Sequence, residues 1–124
     1  MLSGVEASLK TDSTFLKNDS LFKIKIKHKM INVIVTYTVK PEFVPENKIN
    51  IQKFLDDFKN LNPETFEYKV YVKEDGITFL HYSNYINEEV QHEVLNVPSF
   101  KEFQRLRDES GLNGSHKVEI LQTV

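Results

Sequence analysis

The sequence predicts an α+β fold of the ferredoxin-like type, in which a four-stranded antiparallel sheet carries its helices on one face. Two observations lead to this prediction. Segments that alternate apolar and polar residues, as strands do, and segments with apolar residues at helical spacing follow one another in the order β-α-β-β-α-β. The two adjacent β segments in the middle are joined by Asp75-Gly76, a dipeptide typical of tight turns between antiparallel strands.

The first half of the pattern is a strand followed by a helix. Residues 31–39, INVIVTYTV, are rich in β-branched and aromatic residues and predict a strand, which ends before Pro41 because proline cannot donate to a strand ladder. Pro45 or Asn47 can open the following helix, and Pro63 follows its end. The apolar stripe of this helix consists of Ile51, Phe54, Leu55, Phe58 and Leu61. The stripe predicts that the helix packs on the sheet.

The second half contains a hairpin, two short helical segments and a closing strand. Residues 66–72 and 79–84 alternate on either side of the Asp-Gly step, so we expect them to pair. Asn87 can cap a short helix, and Pro98 can start a second helical segment. Residues 117–124, KVEILQTV, alternate again and predict the last strand.

Composition limits the class of protein. A chain of 124 residues with 40% hydrophobic and 27% charged residues is typical of a single soluble domain. It has no cysteine, which excludes disulfides and thiolate chemistry and is compatible with a reducing compartment. No apolar run approaches the ~20 residues that cross a bilayer, and the N-terminus lacks the pattern of a secretory signal. We therefore expect a cytoplasmic protein without a membrane partner.

Residues 1–29 differ from the rest in charge. They contain six lysines and three acidic residues, whereas residues 30–124 contain 10 basic and 15 acidic residues. We interpret residues 1–29 as a poorly ordered basic extension, and one hypothesis is that native translation starts at Met30, where the regular pattern begins. Nucleic-acid binding through the lysine-rich FKIKIKHK sequence is an alternative for this segment. A short lysine alternation without a matching fold motif is weak support, so we expect no nucleic-acid partner.

The third predicted strand carries the polar residues that attract functional interest. Successive side chains of a strand point to opposite faces, so Phe79, His81 and Ser83 share one face. The other face carries Leu80, Tyr82 and Asn84. A face with two polar residues either turns toward solvent or lines a pocket. Apolar residues on both faces of the sheet predict a homodimer formed through the sheet face, since an uncovered apolar patch usually marks an interface.

In the order of these segments the sequence resembles the antibiotic biosynthesis monooxygenase family of dimeric α/β barrels. The resemblance covers residues 30–124 and rests on INVIVTYTVKPEF, NPETFEYKVYVKEDG, TFLHYSNYINEEVQHEVLNVPSFKEF and KVEILQTV in that order. In that family a strand acid and a tryptophan precede a helical histidine and an aromatic segment. His92 stands at the position of the helical histidine, and Phe100 lies in the aromatic segment. His81 stands where the acid is common and Ser83 where the tryptophan is common.

The resemblance implies a cofactor-independent monooxygenase that oxidises a small phenolic or quinol substrate with dioxygen, without metal. His92 or His81 would then be the catalytic base, because imidazole titrates near neutrality. Tyr37, Tyr82 or Asn84 would donate a hydrogen bond to the substrate, beside Phe100. The haem-degrading members of the family are less similar, because this chain has no tryptophan.

Several alternatives stay open. The domain can instead be a non-catalytic dimeric barrel that binds a small aromatic or apolar ligand or serves as a structural module, which the missing acid and tryptophan favour. His92 can be a surface residue of its helix, and His81 a hydrogen-bonded sheet residue. His81 and His92 do not form a recognised metal-ligand spacing, and no glycine-rich phosphate loop or serine nucleophile motif is present. Phosphate and acyl chemistry are therefore not expected.

Overall fold

The computed structural model describes residues 30–124; the predictions for residues 1–29 concern residues outside this range. The predicted order β-α-β-β-α-β is confirmed, and the last helical region is split in two. The elements are β1 (Ile31–Val39), α1 (Val44–Phe58), β2 (Phe66–Val72), β3 (Thr78–Tyr85), α2 (Glu88–Leu95), α3 (Pro98–Leu106) and β4 (Leu112–Leu121). A single 3₁₀ turn (Pro41–Phe43) precedes α1, and a π-helical turn (Arg107–Gly111) follows α3.

The strands form one antiparallel sheet in the order β2-β3-β1-β4. The predicted antiparallel pairing of β2 with β3 is confirmed. Val35 lies opposite His81 of β3 on one side and opposite Val118 of β4 on the other. Since paired residues point to the same face, this register places His81 and Val118 on the face that the helices cover.

The connection between β2 and β3 is built around the predicted Asp-Gly step. The Asp75 carboxylate accepts hydrogen bonds from the backbone N–H groups of Ile77 (2.9 Å) and Thr78 (2.8 Å). Gly76 has a φ of 78°, a left-handed conformation that glycine adopts without steric cost. The carboxylate and the glycine together turn the chain between the two strands.

The core between sheet and helices is aromatic. The Phe54 ring of α1 lies 5.0 Å, centroid to centroid, from the rings of both Phe100 and Phe103 on α3. Tyr37 of β1 stacks on Phe79 of β3 at 5.6 Å. Offset and edge-to-face contacts of this kind add to the stabilisation from buried area. The aromatic stripe predicted for the first helix is therefore part of the core, together with the phenylalanines of α3.

The predicted helix starts and the predicted start of the last strand agree with the structure only in part. Asn87 caps α2 as predicted, since its side-chain oxygen accepts from the backbone N–H of Val90 at 2.8 Å. Helix α1 begins at Val44, with Pro45 in its first turn, and Asn47 is not a cap but is fully buried. Strand β4 starts at Leu112, earlier than the alternation predicts, because Leu112 pairs with Val39 across a bulge in the β1–β4 ladder.

The sheet face opposite the helices carries a mixture of apolar and polar side chains. Ile34, Leu80 and Tyr82 are half-buried there, and Tyr71 is 55% exposed. The homodimer that this face predicts stays a prediction. No helix among residues 30–124 combines the length and apolarity that crossing a membrane requires.

We expect Gly111→Ala to destabilise the fold, because a Cβ atom built at Gly111 lies 2.5 Å from ring carbons of Phe43. Overpacking of this kind typically costs about 1–3 kcal/mol. Urea unfolding of Gly111→Ala, Phe43→Leu and the double variant measures it. The cost of Gly111→Ala should be smaller when Phe43 is replaced by leucine. Equal costs in both backgrounds would show that the close approach to Phe43 is not the cause.

Candidate functional site

A cavity of about 240 Å³ lies between the helix-covered face of the sheet and helices α2 and α3. Much of its wall is apolar and comes from β1, β4 and the two helices: Val33, Val35, Leu95, Phe100, Val118 and Ile120. Its polar groups include Tyr68 of β2, His81 of β3, Gln104 of α3 and Arg107 of the π-helical turn. A concave apolar site with a few polar groups is the usual form of a small-molecule binding site.

His81 is a deeply buried polar group of the cavity wall, with 2% of its surface exposed. Its Nε2 lies 2.8 Å from the Tyr37 hydroxyl, and its Nδ1 lies 2.9 Å from the Tyr68 hydroxyl. Both ring nitrogens therefore have a partner within the protein. The register places Tyr37 on β1 and Tyr68 on β2, one on each side of β3, so the imidazole is held from both neighbouring strands.

A fourth residue extends this hydrogen-bonded chain. The Asn47 side-chain amide donates from Nδ2 to the Tyr37 hydroxyl at 3.1 Å, and Asn47 is fully buried. Its Oδ1 has no hydrogen-bond partner among the described residues. Asn47 belongs to α1, so the chain of contacts Asn47–Tyr37–His81–Tyr68 joins one helix to three strands.

The hydrogen-bond pattern selects one tautomer of His81. With the Asn47 amide oriented to donate, the Tyr37 hydroxyl accepts from Asn47 and can donate its own proton to Nε2, which satisfies the hydroxyl and that ring nitrogen. Nδ1 then carries the hydrogen and donates to Tyr68. In the other tautomer, with the Asn47 amide in the same orientation, Nε2 and Asn47 would both donate to the Tyr37 hydroxyl, and its own proton would have no acceptor in this network. With the Nδ1–H tautomer, the Tyr68 hydroxyl keeps a free proton at the cavity wall.

Burial controls the protonation of this network. Desolvation, with a smaller contribution from the charge of Arg107, lowers the pKa of His81 from 6.5 to about 3. Desolvation also raises the pKa of Tyr37 and of Tyr68, although the hydrogen bond from Asn47 to Tyr37 and the charge of Arg107 act in the opposite direction. At neutral pH the imidazole and both phenols are uncharged.

Arg107 is the buried cation of the site. It is 5% exposed, and its guanidinium carbon lies 5.2 Å from the ring centroid of Tyr37 and 5.4 Å from that of Phe103. Its Nε donates to the carboxylate of Asp108 at 2.9 Å. Cation–π contacts of this kind are favourable and fix the guanidinium against the aromatic core.

The structure brings some of the predicted site residues together and separates others. Tyr37, His81 and Phe100 surround or adjoin the cavity. Tyr82 and Asn84 lie on the opposite face of β3, where the Asn84 amide donates to the Tyr82 hydroxyl and to Glu67. His92 is exposed on α2, two residues before the buried Val94. The roles predicted for Tyr82, Asn84 and His92 would have to be exercised from outside this cavity.

The residues of the site that were not predicted from the sequence include Tyr68, Asn47 and Arg107. A signal existed for two of them. In the predicted hairpin, Tyr68 lies opposite Ser83 and therefore on the same face as His81. Arg107 continues the helical spacing of Phe100 and Phe103, so a charge falls on an otherwise buried stripe. Asn47 gave no such signal, because its position near the helix start has the simpler explanation of a cap.

No three histidine, aspartate or glutamate side chains within residues 30–124 are grouped so as to hold a metal ion. The groups that can contact a ligand in the cavity are therefore hydroxyl, amide, imidazole and guanidinium groups.

Comparison with known proteins supports the fold. No family model matches this chain, and no curated protein matches it in sequence. Solved structures do match. A conserved protein from Methanosarcina mazei Go1 is 19% identical with a TM-score of 0.66 over 80% of this chain and 97% of that chain. An antibiotic biosynthesis monooxygenase is 14% identical with a TM-score of 0.64 over 76% and 98%.

A third matching structure is, like the second, an antibiotic biosynthesis monooxygenase by name. A candidate antibiotic biosynthesis monooxygenase from Caulobacter crescentus CB15 is 18% identical with a TM-score of 0.66 over 79% of this chain and 92% of that chain. The resemblance inferred from the sequence is thus confirmed at the level of the fold, which is the ferredoxin-like fold of antibiotic biosynthesis monooxygenase structures.

We expect the free energy of unfolding to fall as the pH is lowered through the window below 6.5, because the unfolded chain binds a proton at His81 that the folded chain does not bind until about pH 3. From about pH 7.5 to about pH 5 this group alone should contribute a loss of about 2 kcal/mol. Urea unfolding at a series of pH values measures the slope. His81→Gln should flatten it, whereas His92→Gln, which removes an exposed histidine, should not.

An unchanged slope in His81→Gln would contradict the neutral buried imidazole. A ¹⁵N NMR spectrum of the histidine rings gives an independent check on the charge state and tautomer of His81.

Proposed function

We propose that this domain is an oxidoreductase that transfers one oxygen atom of dioxygen to a small phenolic or quinol substrate in the cavity between sheet and helices, without metal or organic cofactor. The observation that carries the proposal is the polar chain that ends at the Tyr68 hydroxyl in a cavity with much apolar wall. The fold match to antibiotic biosynthesis monooxygenases agrees with it.

The chemistry needs little from the protein. An ionised phenol or enol is electron-rich and can transfer one electron to dioxygen, and the resulting radical pair combines to form a C–O bond. The peroxide takes up a proton from solvent, and loss of the C–H proton to solvent then breaks the O–O bond. One oxygen stays in the product as a carbonyl, and the other leaves as hydroxide, which takes up a proton to become water. The protein has to bind the substrate anion, orient it and limit the access of water.

The described residues match these tasks. Tyr68 would donate a hydrogen bond to the substrate oxygen, and His81 would position Tyr68 through its Nδ1–H. The guanidinium of Arg107 would stabilise the negative charge on the substrate. Phe100 and the valines of β1 would contact the aromatic ring. Asn47 and Tyr37 hold the imidazole in the required tautomer.

The depressed pKa of His81 changes the role assigned to it from the resemblance. A base with a pKa of about 3 does not accept a proton from a phenol near neutral pH. We therefore propose His81 as a positioning residue, with the substrate losing its proton to solvent before or during binding. This role suits phenols and enols that are more acidic than simple phenol.

The second candidate function is binding of such a ligand without turnover. The same observation favours it, because the cavity presents hydrogen-bond donors and a cation, and its buried imidazole, His81, is not a base near neutral pH. The two functions share one site and differ in whether dioxygen reacts with the bound ligand.

We further propose that two copies pair through the sheet face opposite the helices. The half-buried Ile34 and Leu80 and the exposed Tyr71 on that face support this pairing. Light scattering during gel filtration measures the mass in solution, and a monomer across the micromolar range would contradict it.

The test of the enzymatic function is oxygen uptake against a panel of hydroquinones and anthrone-like phenols. We expect protein-dependent uptake without added metal or flavin, reduced by about 10²-fold in Tyr68→Phe because a hydrogen bond to developing charge is lost. His81→Phe should have a similar effect through the loss of positioning.

Matched controls exist for both variants. Tyr82→Phe removes a tyrosine hydroxyl from the opposite sheet face, and His92→Phe removes an exposed histidine; both should leave uptake unchanged. Uptake that is lost in His92→Phe and retained in His81→Phe would overturn the assignment and favour the helical histidine. Uptake no faster than in buffer, with ligand bound, would favour the non-catalytic function.

A further inference from the structure

We propose that the ligand of this cavity is an aromatic anion of one or two rings whose charged oxygen binds the guanidinium of Arg107. This rests on the proposed function only in placing the ligand in the same cavity. In this proposal Arg107 selects ionised over neutral ligands, whether or not the bound ligand reacts with dioxygen.

The first support is the burial of the charge. Arg107 is 5% exposed, whereas its partner Asp108 is 54% exposed on the side chain. A buried guanidinium needs hydrogen-bond acceptors, and within the described part of the chain Asp108 supplies an acceptor to Nε alone. The terminal N–H groups are the forked pair that matches an oxygen anion.

The second support is the charge distribution around the cavity. No carboxylate from residues 30–124 is among the groups that line it, and His81 is neutral near physiological pH. The negative charge of Asp108 is in contact with solvent, where it is screened. A ligand anion would therefore meet the guanidinium of Arg107 and no carboxylate of residues 30–124 at the cavity wall. The charge of Arg107 also acts on the neighbouring tyrosines, since it lowers the pKa of Tyr37 and of Tyr68 against the larger effect of burial.

The third support is the position of the guanidinium relative to the aromatic groups. Its carbon lies over the rings of Tyr37 and Phe103, so these contacts hold it in place before a ligand arrives. A preorganised cation loses little side-chain entropy on binding. Phe100 and the apolar wall of β1 and β4 complete a surface that suits a flat ring.

The size of the cavity limits the ligand. An apolar cavity of about 150 Å³ binds benzene. A volume of about 240 Å³ therefore suits a compound with one or two fused rings. Larger multi-ring compounds would have to extend past the edge strand β4, where Ile120 is 67% exposed.

The experiment compares two ligands of equal shape, 2-naphthoate and 2-naphthamide, by isothermal titration calorimetry near neutral pH without a reaction. We expect the full chain to bind naphthoate about 10- to 100-fold more tightly than naphthamide, the effect of a charge-assisted hydrogen bond in a buried site. Arg107→Gln should abolish this preference, and Arg107→Lys should keep part of it.

Arg105→Gln is the matched control, because Arg105 is exposed and paired with Glu102 and Glu109 on the same segment. It should keep the full preference. Retention of naphthamide binding in Arg107→Gln shows that the cavity is intact in that variant. A second pair, 2,4-dinitro-1-naphthol, which is ionised near neutrality, and neutral 1-naphthol, decides whether the charged oxygen belongs to a phenolate or a carboxylate. A preference for the anion in either pair supports the proposal.

Equal affinities within both pairs, a preference that survives in Arg107→Gln, or no binding of any of the four compounds would overturn it. Because the measurement involves no turnover, it separates this proposal from the oxygenase function. Preferred binding of the anions without oxygen uptake would support the role of Arg107 and contradict the oxygenase function. Oxygen uptake together with a preference for neutral ligands would support the oxygenase function and contradict the role of Arg107.

Discussion

Burial of the His81 ring in an aromatic interior requires that both of its nitrogens find partners inside the protein, since an unsatisfied buried nitrogen costs about 1–3 kcal/mol. The partners are Tyr37 and Tyr68, which come from the strands on either side of β3. Asn47 then has to approach Tyr37 from α1. One residue thus determines which side chains the two neighbouring strands and the first helix present at the centre of the domain.

The same requirement sets the electrostatics of the interior. Two phenols and an imidazole that are all neutral can lie close to one fixed cation without repulsion, and Arg107 occupies that place. The positive charge opposes protonation of the imidazole and favours negative charge on any oxygen nearby. The interior is therefore suited to holding an anion rather than to removing a proton, which separates this site from one organised around a histidine base.

Much of the fold could be predicted from the sequence because local patterns and the global arrangement agree. The alternation of β1 and β3, the Asp-Gly step and the Asn87 cap each correspond to an observed element. Alternation predicts which residues share a face with His81, but it does not predict which of the two faces the helices cover. That placement depends on the strand register. The start of β4 lies earlier than the sequence predicts, because Leu112 pairs with Val39 of β1 although residues 112–115 show no apolar alternation.

The site was harder to predict for a physical reason. Its hydrogen bonds join residues far apart in the sequence, such as Asn47 with Tyr37 and Tyr37 with His81, and composition does not report such contacts. Periodicity could place Tyr68 and Arg107 on buried faces but could not show that the hydroxyl meets an imidazole or that the guanidinium lies over two rings. The family resemblance directed attention to the helical position of His92, which lies at the surface.

The position of β4 at the edge of the sheet has a consequence for ligand exchange. Val118 and Ile120 form part of the cavity wall and are also among the most exposed apolar side chains of the described residues. A molecule can thus enter past Val118 and Ile120, whose exposed side chains contribute little to packing, without opening the aromatic core. Substitutions in β4 would then change the rates at which a ligand binds and dissociates. Substitutions at Arg107 would change which ligand is preferred at equilibrium. Kinetic access and chemical selection are in this way located on different elements of one small domain.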